Sequence, residues 1–216
     1  MKWRLILRSL KNREMQKKVL AVILMIVVFR ALAHIPIPFA EPTQLKQVLD
    51  NLFKTQETPQ LLSFINVLSG NALQNFSIML VGLGPYITSS IIMQLLTKAF
   101  PRLENLQKEE GEYGRKKINQ YTRILTLPLA IVQAIGTIFI VRQTANQFGG
   151  LGDVLANASL DRWILMVAAL VGGSMILMWL GELLTEQGLG NGTSLLITVG
   201  VVSSLPAIAG ALISAT

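Results

Sequence analysis

Residues 61–97 read LLSFINVLSGNALQNFSIMLVGLGPYITSSIIMQLLT, and no other part of the chain constrains the fold as strongly. A moderately apolar segment comes first and is interrupted by Ser69, Gly70 and Asn71. A longer apolar run follows from Phe76 to Thr97, with two glycines and a proline inside it. Irregular backbone of this kind survives at membrane depth only where protein or a water-filled cavity shields it. The stretch therefore predicts a broken element that lines a cavity within a membrane protein.

Four further apolar runs accompany this broken element, and each is long enough to cross about 30 Å of hydrocarbon. They cover residues 19–37, 124–141, 163–181 and 194–214. The composition agrees, because 51% of the chain is hydrophobic and 14% is charged, whereas soluble domains carry about 25% charged residues. We therefore expect an all-α polytopic membrane protein. Its membrane part, residues 19–216, would hold five spanning helices, the second at 76–97 preceded by a short helix at 61–74.

The first 18 residues carry seven basic side chains with Trp3, Leu7 and Leu10 at helical spacing between them. This pattern predicts a cytosolic amphipathic helix on an anionic membrane face, with a disordered tail as the alternative. A cleaved signal peptide ending at Ala33 is less favoured, because the polar leader is long and Arg30 lies just before the cleavage site.

The basic residues also predict the orientation. The leader and the charged loop at 98–123 together hold 14 of the 19 lysines and arginines, in a chain of net charge +7. Cytoplasmic segments carry the excess of Lys and Arg. We therefore expect a multi-pass protein of the cell's inner (plasma) membrane, with its N-terminus in the cytoplasm and residues 142–162 outside.

Four blocks of sequence, in order along nearly the whole chain, resemble the SecY family of protein-conducting channels. They are FR at 29–30 with IPIP at 35–38, the run from LSG at 68–70 through GPYI at 84–87 to QLLT at 94–97, GEYGRKKINQYTR at 111–123, and MWLGE at 178–182 with GLGNG at 188–192. The resemblance implies two pseudo-symmetric five-helix halves, of which this chain is the N-terminal one. It also implies a role in passing secretory polypeptides across the membrane and inserting membrane proteins into it.

The resemblance further implies a pore ring. Leu83 and Ile87 are four residues apart and share a helix face, as do Thr193 and Ile197. Such spacing alone favours ordinary helix packing, but in the family these four positions form the apolar ring that seals the channel. Thr193 departs from the family's usual aliphatic residue, and its hydroxyl should make the constriction wetter.

The same resemblance assigns a plug and a lateral gate. The plug would contain Leu61, Phe64, Leu68, Ser69, Gly70 and Asn71. Thr88, Gln94 and Gln133 would belong to the gate through which signal sequences reach lipid. Other neutral polar residues, including Ser89, lie in the same spans, and hydrogen-bonded helix packing is an equally good interpretation of the whole group.

A basic patch of Arg115, Lys116, Lys117 and Arg123 would dock a SecA motor or a ribosome, the latter through salt-sensitive phosphate contacts. Simple anchoring of the cytosolic side is the alternative. The implied partners also include SecE- and SecG-like small membrane subunits, signal-sequence-bearing polypeptides and the lipid bilayer. The C-terminal half of the channel, or a second copy of this chain, would complete the pore.

No feature of the sequence predicts catalysis, a cofactor or a metal site. The chain has no cysteine and one histidine, His34. The glycines at 188–192 follow a helix rather than a strand, and no lysine follows them, so they predict a tight cytosolic turn instead of a phosphate loop. Half of an inverted-repeat secondary transporter is a rival function. Ion coupling usually needs an acid within the membrane, however, and the acids here lie in the leader, in loops or at span ends. A non-conducting membrane fragment is the other rival.

Overall fold

The structure is a computed structural model that describes residues 13–37, 76–109, 111–148, 160–188 and 190–214. Six helices account for nearly all of this part of the chain. They are α1 (Arg13–Leu32), α2 (Gly84–Ala99), α3 (Pro101–Glu109), α4 (Gly111–Phe148), α5 (Leu160–Glu186) and α6 (Gly192–Ser214). Within the described ranges, the one β feature is an isolated antiparallel bridge between Pro36 and Ser77. The all-helical fold class predicted from the sequence is therefore confirmed.

The first two predicted spans contain helices with different bounds. Helix α1 begins at Arg13 and ends at Leu32, because the prolines at 36 and 38 favour extended backbone over helix. Residues 76–83 form a series of turns, called the turn segment below. The Ile37 N–H donates to the Phe76 carbonyl and the Ile78 N–H to the Ile35 carbonyl, so the turn segment pairs with the chain that leaves α1.

Helix α2 begins only at Gly84, with Pro85 in its first turn. Proline suits this position because its fixed φ matches a helix and the missing N–H would have no helical partner there. The longer apolar run at 76–97 is therefore a turn segment followed by a helix.

The charged stretch predicted as a loop at 98–123 is helical in its described residues apart from Phe100, which is extended, so that prediction was wrong. Helix α3 occupies its first part, and α4 starts at Gly111. Lys, Arg, Glu and Gln are good helix formers, and their charge indicates contact with water without excluding a helix. Helix α4 has 38 residues and is about 57 Å long at 1.5 Å per residue, so it extends well beyond a bilayer core.

Within the described residues, two helical segments are both long and apolar enough to cross a membrane, namely Gly111–Gln143 and Leu160–Glu186. A shorter apolar segment covers Gly192–Ser203. Helix α2 has only 16 residues, and α1 carries charged side chains near both ends. The count of five spans thus stays a prediction.

Helix α5 lies at the centre of the packing. Its first half joins the end of α4 and the turn segment in one core cluster, which includes Ile138, Met166 and Leu170. Its second half joins α1, the turn segment and α6 in another, which includes Phe29, Leu177 and Leu196. The turn segment and the first residues of α6 are thereby held against the same helix.

Candidate functional site

An apolar cavity of about 260 Å³ lies between α1, the turn segment, α2, α5 and α6. The residues around it are overwhelmingly aliphatic or aromatic, and none of them is ionisable. They are Phe29, Met79, Leu80, Val81, Gly82, Leu83, Gly84, Ile87, Leu177, Leu196 and Ile197. Side chains separated by more than 150 residues in sequence therefore converge on one apolar space.

Three of the four predicted ring residues, Leu83, Ile87 and Ile197, line this cavity together. Leu83 is buried, whereas the Ile87 side chain keeps 37% of its surface exposed. Leu83 is the last residue of the turn segment and Ile87 lies in the first turn of α2, so the junction of the two forms this wall of the cavity. The structure thus brings residues from the second and the last predicted span to the same space.

Thr193 is not among the residues that line the cavity. It lies in the first turn of α6, where its hydroxyl donates to Oδ1 of Asn191 over 2.5 Å. The same Asn191 oxygen accepts the backbone N–H groups of Thr193 and Ser194. Asn191 therefore caps α6, which satisfies N–H groups that have no partner within the helix, and the threonine hydroxyl joins this cap.

The connection between α5 and α6 is tight, as the glycine-rich sequence predicted. Gly188 and Gly190 have φ angles of +73° and +134°, which residues with a side chain rarely adopt. The Gly192 N–H donates to the Thr185 hydroxyl over 2.9 Å. These features hold the start of α6 against the end of α5.

The three predicted gate residues make different contacts. The Thr88 hydroxyl donates to the Gly84 carbonyl of its own helix, and the exposed Gln94 amide lies 3.4 Å from the Ser90 hydroxyl of the same helix. Gln133 does reach another helix, since its Oε1 would lie 3.0 Å from a Cβ built at Gly84. Of the three, Gln133 alone connects α4 with the start of α2 in these contacts.

The polar link between α2 and α4 is instead a buried hydroxyl pair. Ser89 and Thr126 are both fully buried, and their oxygens are 2.6 Å apart. Ser89 also lies within hydrogen-bonding distance of the Tyr86 carbonyl, and Thr126 of the Thr122 carbonyl. One hydroxyl can therefore donate to the other while the second donates to its own helix. Sequence reasoning grouped Ser89 with several polar neighbours but did not identify Thr126.

A second interhelical contact involves Arg30, near the end of α1. Its guanidinium donates to the Ser203 hydroxyl of α6 over 2.8 Å, and that hydroxyl donates to the Gly200 carbonyl. A charged residue inside an apolar run thus has a polar partner on another helix, and the sequence pattern contained no signal for the pairing.

The predicted basic patch divides into two groups. Arg123 binds Glu182 of α5 through two contacts, Nη2 to Oε2 at 2.7 Å and Nε to Oε1 at 3.0 Å. Arg115, Lys116 and Lys117 lie near the start of α4, and the first two are exposed. The Lys117 ammonium lies 5.0 Å from the Tyr113 ring centroid, a favourable cation–π distance.

Two sets of predicted residues lie outside the described part of the chain, namely the whole plug and most of the N-terminal amphipathic helix. In the part that is described, no group of three or more His, Asp or Glu residues could hold a metal ion.

Comparisons with known proteins all point to one family. The SecY family model matches residues 77–216. The protein translocase subunit SecY of Buchnera aphidicola subsp. Acyrthosiphon pisum is 40% identical over 203 residues, which is 94% of this chain and 44% of that relative. The subunit from Corynebacterium glutamicum is 39% identical, covering 93% of this chain and 45% of its own length. The one from Aquifex aeolicus is 40% identical, covering 90% and 44%.

The chain thus spans less than half the length of these curated relatives, while most of its own residues align with them. The matched region contains the turn segment from Ser77 onwards and all of α2 to α6. Every residue that lines the cavity, apart from Phe29, falls within it. The chain belongs to the SecY family.

Proposed function

We propose that this chain supplies part of a Sec-type channel, which passes secretory polypeptides across the inner membrane and inserts membrane proteins into it. The observation that carries the proposal is the convergence of Leu83, Ile87 and Ile197 on one apolar cavity. A narrow ring of apolar side chains dewets when the channel is idle, which blocks ions. It contains no fixed polar group, so it can deform around any passing sequence.

Helix α6 contributes Ile197 through its first turns, and Asn191 stabilises those turns by capping them. We infer that the Thr193 hydroxyl serves this cap rather than wetting the constriction. The Thr193 position would then stand at the edge of the ring, with Leu83, Ile87 and Ile197 forming the seal on this side of the pore.

The five-span arrangement and the lateral gate belong to the same proposal. Helices α4 and α5 would form the third and fourth spans, with α1, α2 and α6 as the first, second and fifth. Gln133 supports a gate between α2 and α4, because its amide reaches the first residue of α2. Plug residues 61–74 would fill the outer side of the constriction. A C-terminal half or a second copy, together with SecE- and SecG-like subunits, would complete the pore.

Docking of a SecA motor or a ribosome is proposed to use the exposed start of α4. Arg115 and Lys116 are both exposed there, and an acidic protein surface or RNA phosphates would be attracted to them. Arg123 is a weaker candidate because Glu182 already binds its guanidinium. Such docking should weaken as the salt concentration rises.

The rival function, a secondary transporter, is disfavoured by the apolar lining of the cavity. Among the described residues that line it, none is acidic, and Glu182, near the C-terminal end of α5, binds Arg123. Coupling to protons or sodium usually needs an acid or a polar cage at membrane depth, and the lining offers neither.

The test is ion conductance across planar bilayers that contain the complete channel assembly, with protease-protected import of a secretory precursor measured in parallel. The parent assembly should import precursor and leak few ions at rest, while Leu83→Ser and Ile87→Ser should raise the resting leak. Leu95→Ser is the matched control, because Leu95 lies on the same helix, is 63% exposed and is not part of the cavity lining. Equal leak in all three variants would contradict the assignment of the cavity to the constriction.

A further inference from the structure

One face of α5 contacts both segments that build the cavity. Gly173, Leu177 and Gly181 are four residues apart and lie on the same side of the helix. All three are buried, and Leu177 itself lines the cavity. The glycine on each side of Leu177 meets a different segment of the chain.

At Gly173, α5 meets the backbone of the turn segment. A Cβ built there would lie 2.0 Å from the Ile78 carbonyl oxygen and 2.7 Å from its carbon, closer than any real contact. The neighbouring Ser174 is fully buried, and its hydroxyl donates to the Gly82 carbonyl over 3.0 Å. Gly82 has a φ of +64° and directly precedes Leu83. These contacts fix the bend that delivers Leu83 to the cavity.

At Gly181, α5 meets the start of α6. A Cβ built at Gly192 would lie 2.0 Å from the Gly181 carbonyl oxygen. A Cβ at Gly181 would lie 3.1 Å from Cγ2 of Thr193. The first turn of α6, which precedes Ile197, therefore rests directly on α5.

We propose that α5 acts as a spacer that sets the separation of Leu83 from Ile197, with Gly173, Ser174 and Gly181 as positioning residues. The nearest atom to an added Cβ is a backbone oxygen both at Gly173 and at Gly192. Backbone has no rotamers to absorb a change, so an added methyl group there must move a whole segment. The separation itself is a property of the fold. Its consequence for the width of a channel constriction rests on the proposed function.

The experiment measures this separation by chemical cross-linking in the complete assembly in native membranes. The chain has no cysteine of its own, so Leu83→Cys and Ile197→Cys provide one defined pair for a short bismaleimide. This pair is combined in turn with Gly173→Ala, with Ser174→Ala and with Gly172→Ala. The last is the matched control, because a Cβ at Gly172 meets no atom within 4 Å. A second pair, Arg123→Cys with Glu182→Cys, reports the packing of α4 on α5.

The proposal expects Gly173→Ala to lower the yield of the 83–197 cross-link severalfold and Ser174→Ala to lower it less, while Gly172→Ala leaves it unchanged. The 123–182 cross-link should persist in all three. Ser174→Ala introduces no clash, so it remains informative if Gly173→Ala accumulates poorly. An unchanged 83–197 yield in Ser174→Ala and Gly173→Ala, with the 123–182 pair intact, would overturn the spacer role. Resting conductance of the same variants separates the spacer role of α5 from the proposed function. A changed yield of the 83–197 cross-link with an unchanged ion leak would reject the assignment of the cavity to the channel constriction, while the spacer role of α5 would stand.

Discussion

At the scale of single residues, two pairs of polar side chains form hydrogen bonds between helices. The buried Ser89–Thr126 pair joins α2 to α4, and Arg30 with Ser203 joins α1 to α6. A hydroxyl buried in an apolar medium without a partner would be costly. Each such pair therefore favours one arrangement of its two helices over others in which the groups would be unpaired.

Removing the Ser89–Thr126 hydrogen bond should lower the free energy of unfolding only slightly, and the effects of the two substitutions should not be additive. Ser89→Ala and Thr126→Val each delete one hydroxyl, and we expect each to lower the free energy of unfolding by about 0.5–1.5 kcal/mol. The double variant should cost less than the sum, because the second deletion finds the hydrogen bond already absent. Unfolding in mixed detergent micelles measures all four proteins. Strict additivity would mean that the 2.6 Å contact contributes nothing.

The sequence predicted that neutral hydroxyls and amides in α2 join helices, but not which of them do so. Thr88, Ser89 and Ser90 are consecutive, and a rotation of about 100° per residue decides which one faces α4. That rotation is set by packing across the whole helix. The sequence leaves the role of the Thr193 hydroxyl open in the same way. It could face a pore or join a helix cap, and the residue at which α6 begins decides between the two.

At the scale of helices, the α5–α6 hairpin should be sensitive to small changes in volume. Gly192→Ala places a methyl group against the Gly181 carbonyl and Leu184, and overpacking of this kind costs about 1–3 kcal/mol. Gly136→Ala, on α4, is the control because its Cβ meets nothing within 4 Å. It should be neutral or stabilising by up to about 1 kcal/mol.

Thermal unfolding in detergent, with yield from membranes as a second measure, distinguishes these two variants. The hairpin account expects a lower Tm for Gly192→Ala and an equal or higher Tm for Gly136→Ala. An equal fall in Tm for both variants would indicate that glycine is needed in these helices for some reason other than close contact.

The apolar runs at 124–141, 163–181 and 194–214 lie inside α4, α5 and α6, although α4 already begins at Gly111. The charged stretch at 98–123, which includes the first residues of α4, was predicted as a loop and is largely helical, since charge indicates exposure to water but not backbone conformation. The start of α2 was predicted at Phe76 and lies at Gly84, because hydropathy does not detect a turn segment whose carbonyls bond to Ser174 and to other parts of the chain.

At the scale of the whole molecule, α4 and α5 are antiparallel. Arg123, early in α4, binds Glu182, late in α5, while Ile138 and Met166 share a core cluster near the opposite ends. Residues 162 and 182 are about 30 Å apart along α5 at 1.5 Å per residue. Lys108, which precedes α4, should therefore lie on the opposite side of the membrane from Arg162.

Single cysteines at these two positions test the proposed orientation. Lys108→Cys should react with a membrane-impermeant maleimide only from the cytoplasmic side, and Arg162→Cys only from the outside, because basic segments remain in the cytoplasm. Intact cells and inverted vesicles supply the two sides. Reaction of both cysteines from one side would contradict a membrane crossing between them, and the reverse pattern would contradict the orientation.

A polypeptide in transit is expected to pass the cavity lined by Leu83, Ile87 and Ile197, and photo-cross-linking detects that passage. A photoreactive amino acid is placed singly at these three positions, and at Val132 on the exposed face of α4 (67% exposed), in complete channels holding an arrested secretory precursor. Cross-links to the precursor are expected from positions 83, 87 and 197 and none from 132. Cross-linking from 132 alone, or from none of the four positions while precursor is arrested in the channel, would contradict passage through the cavity.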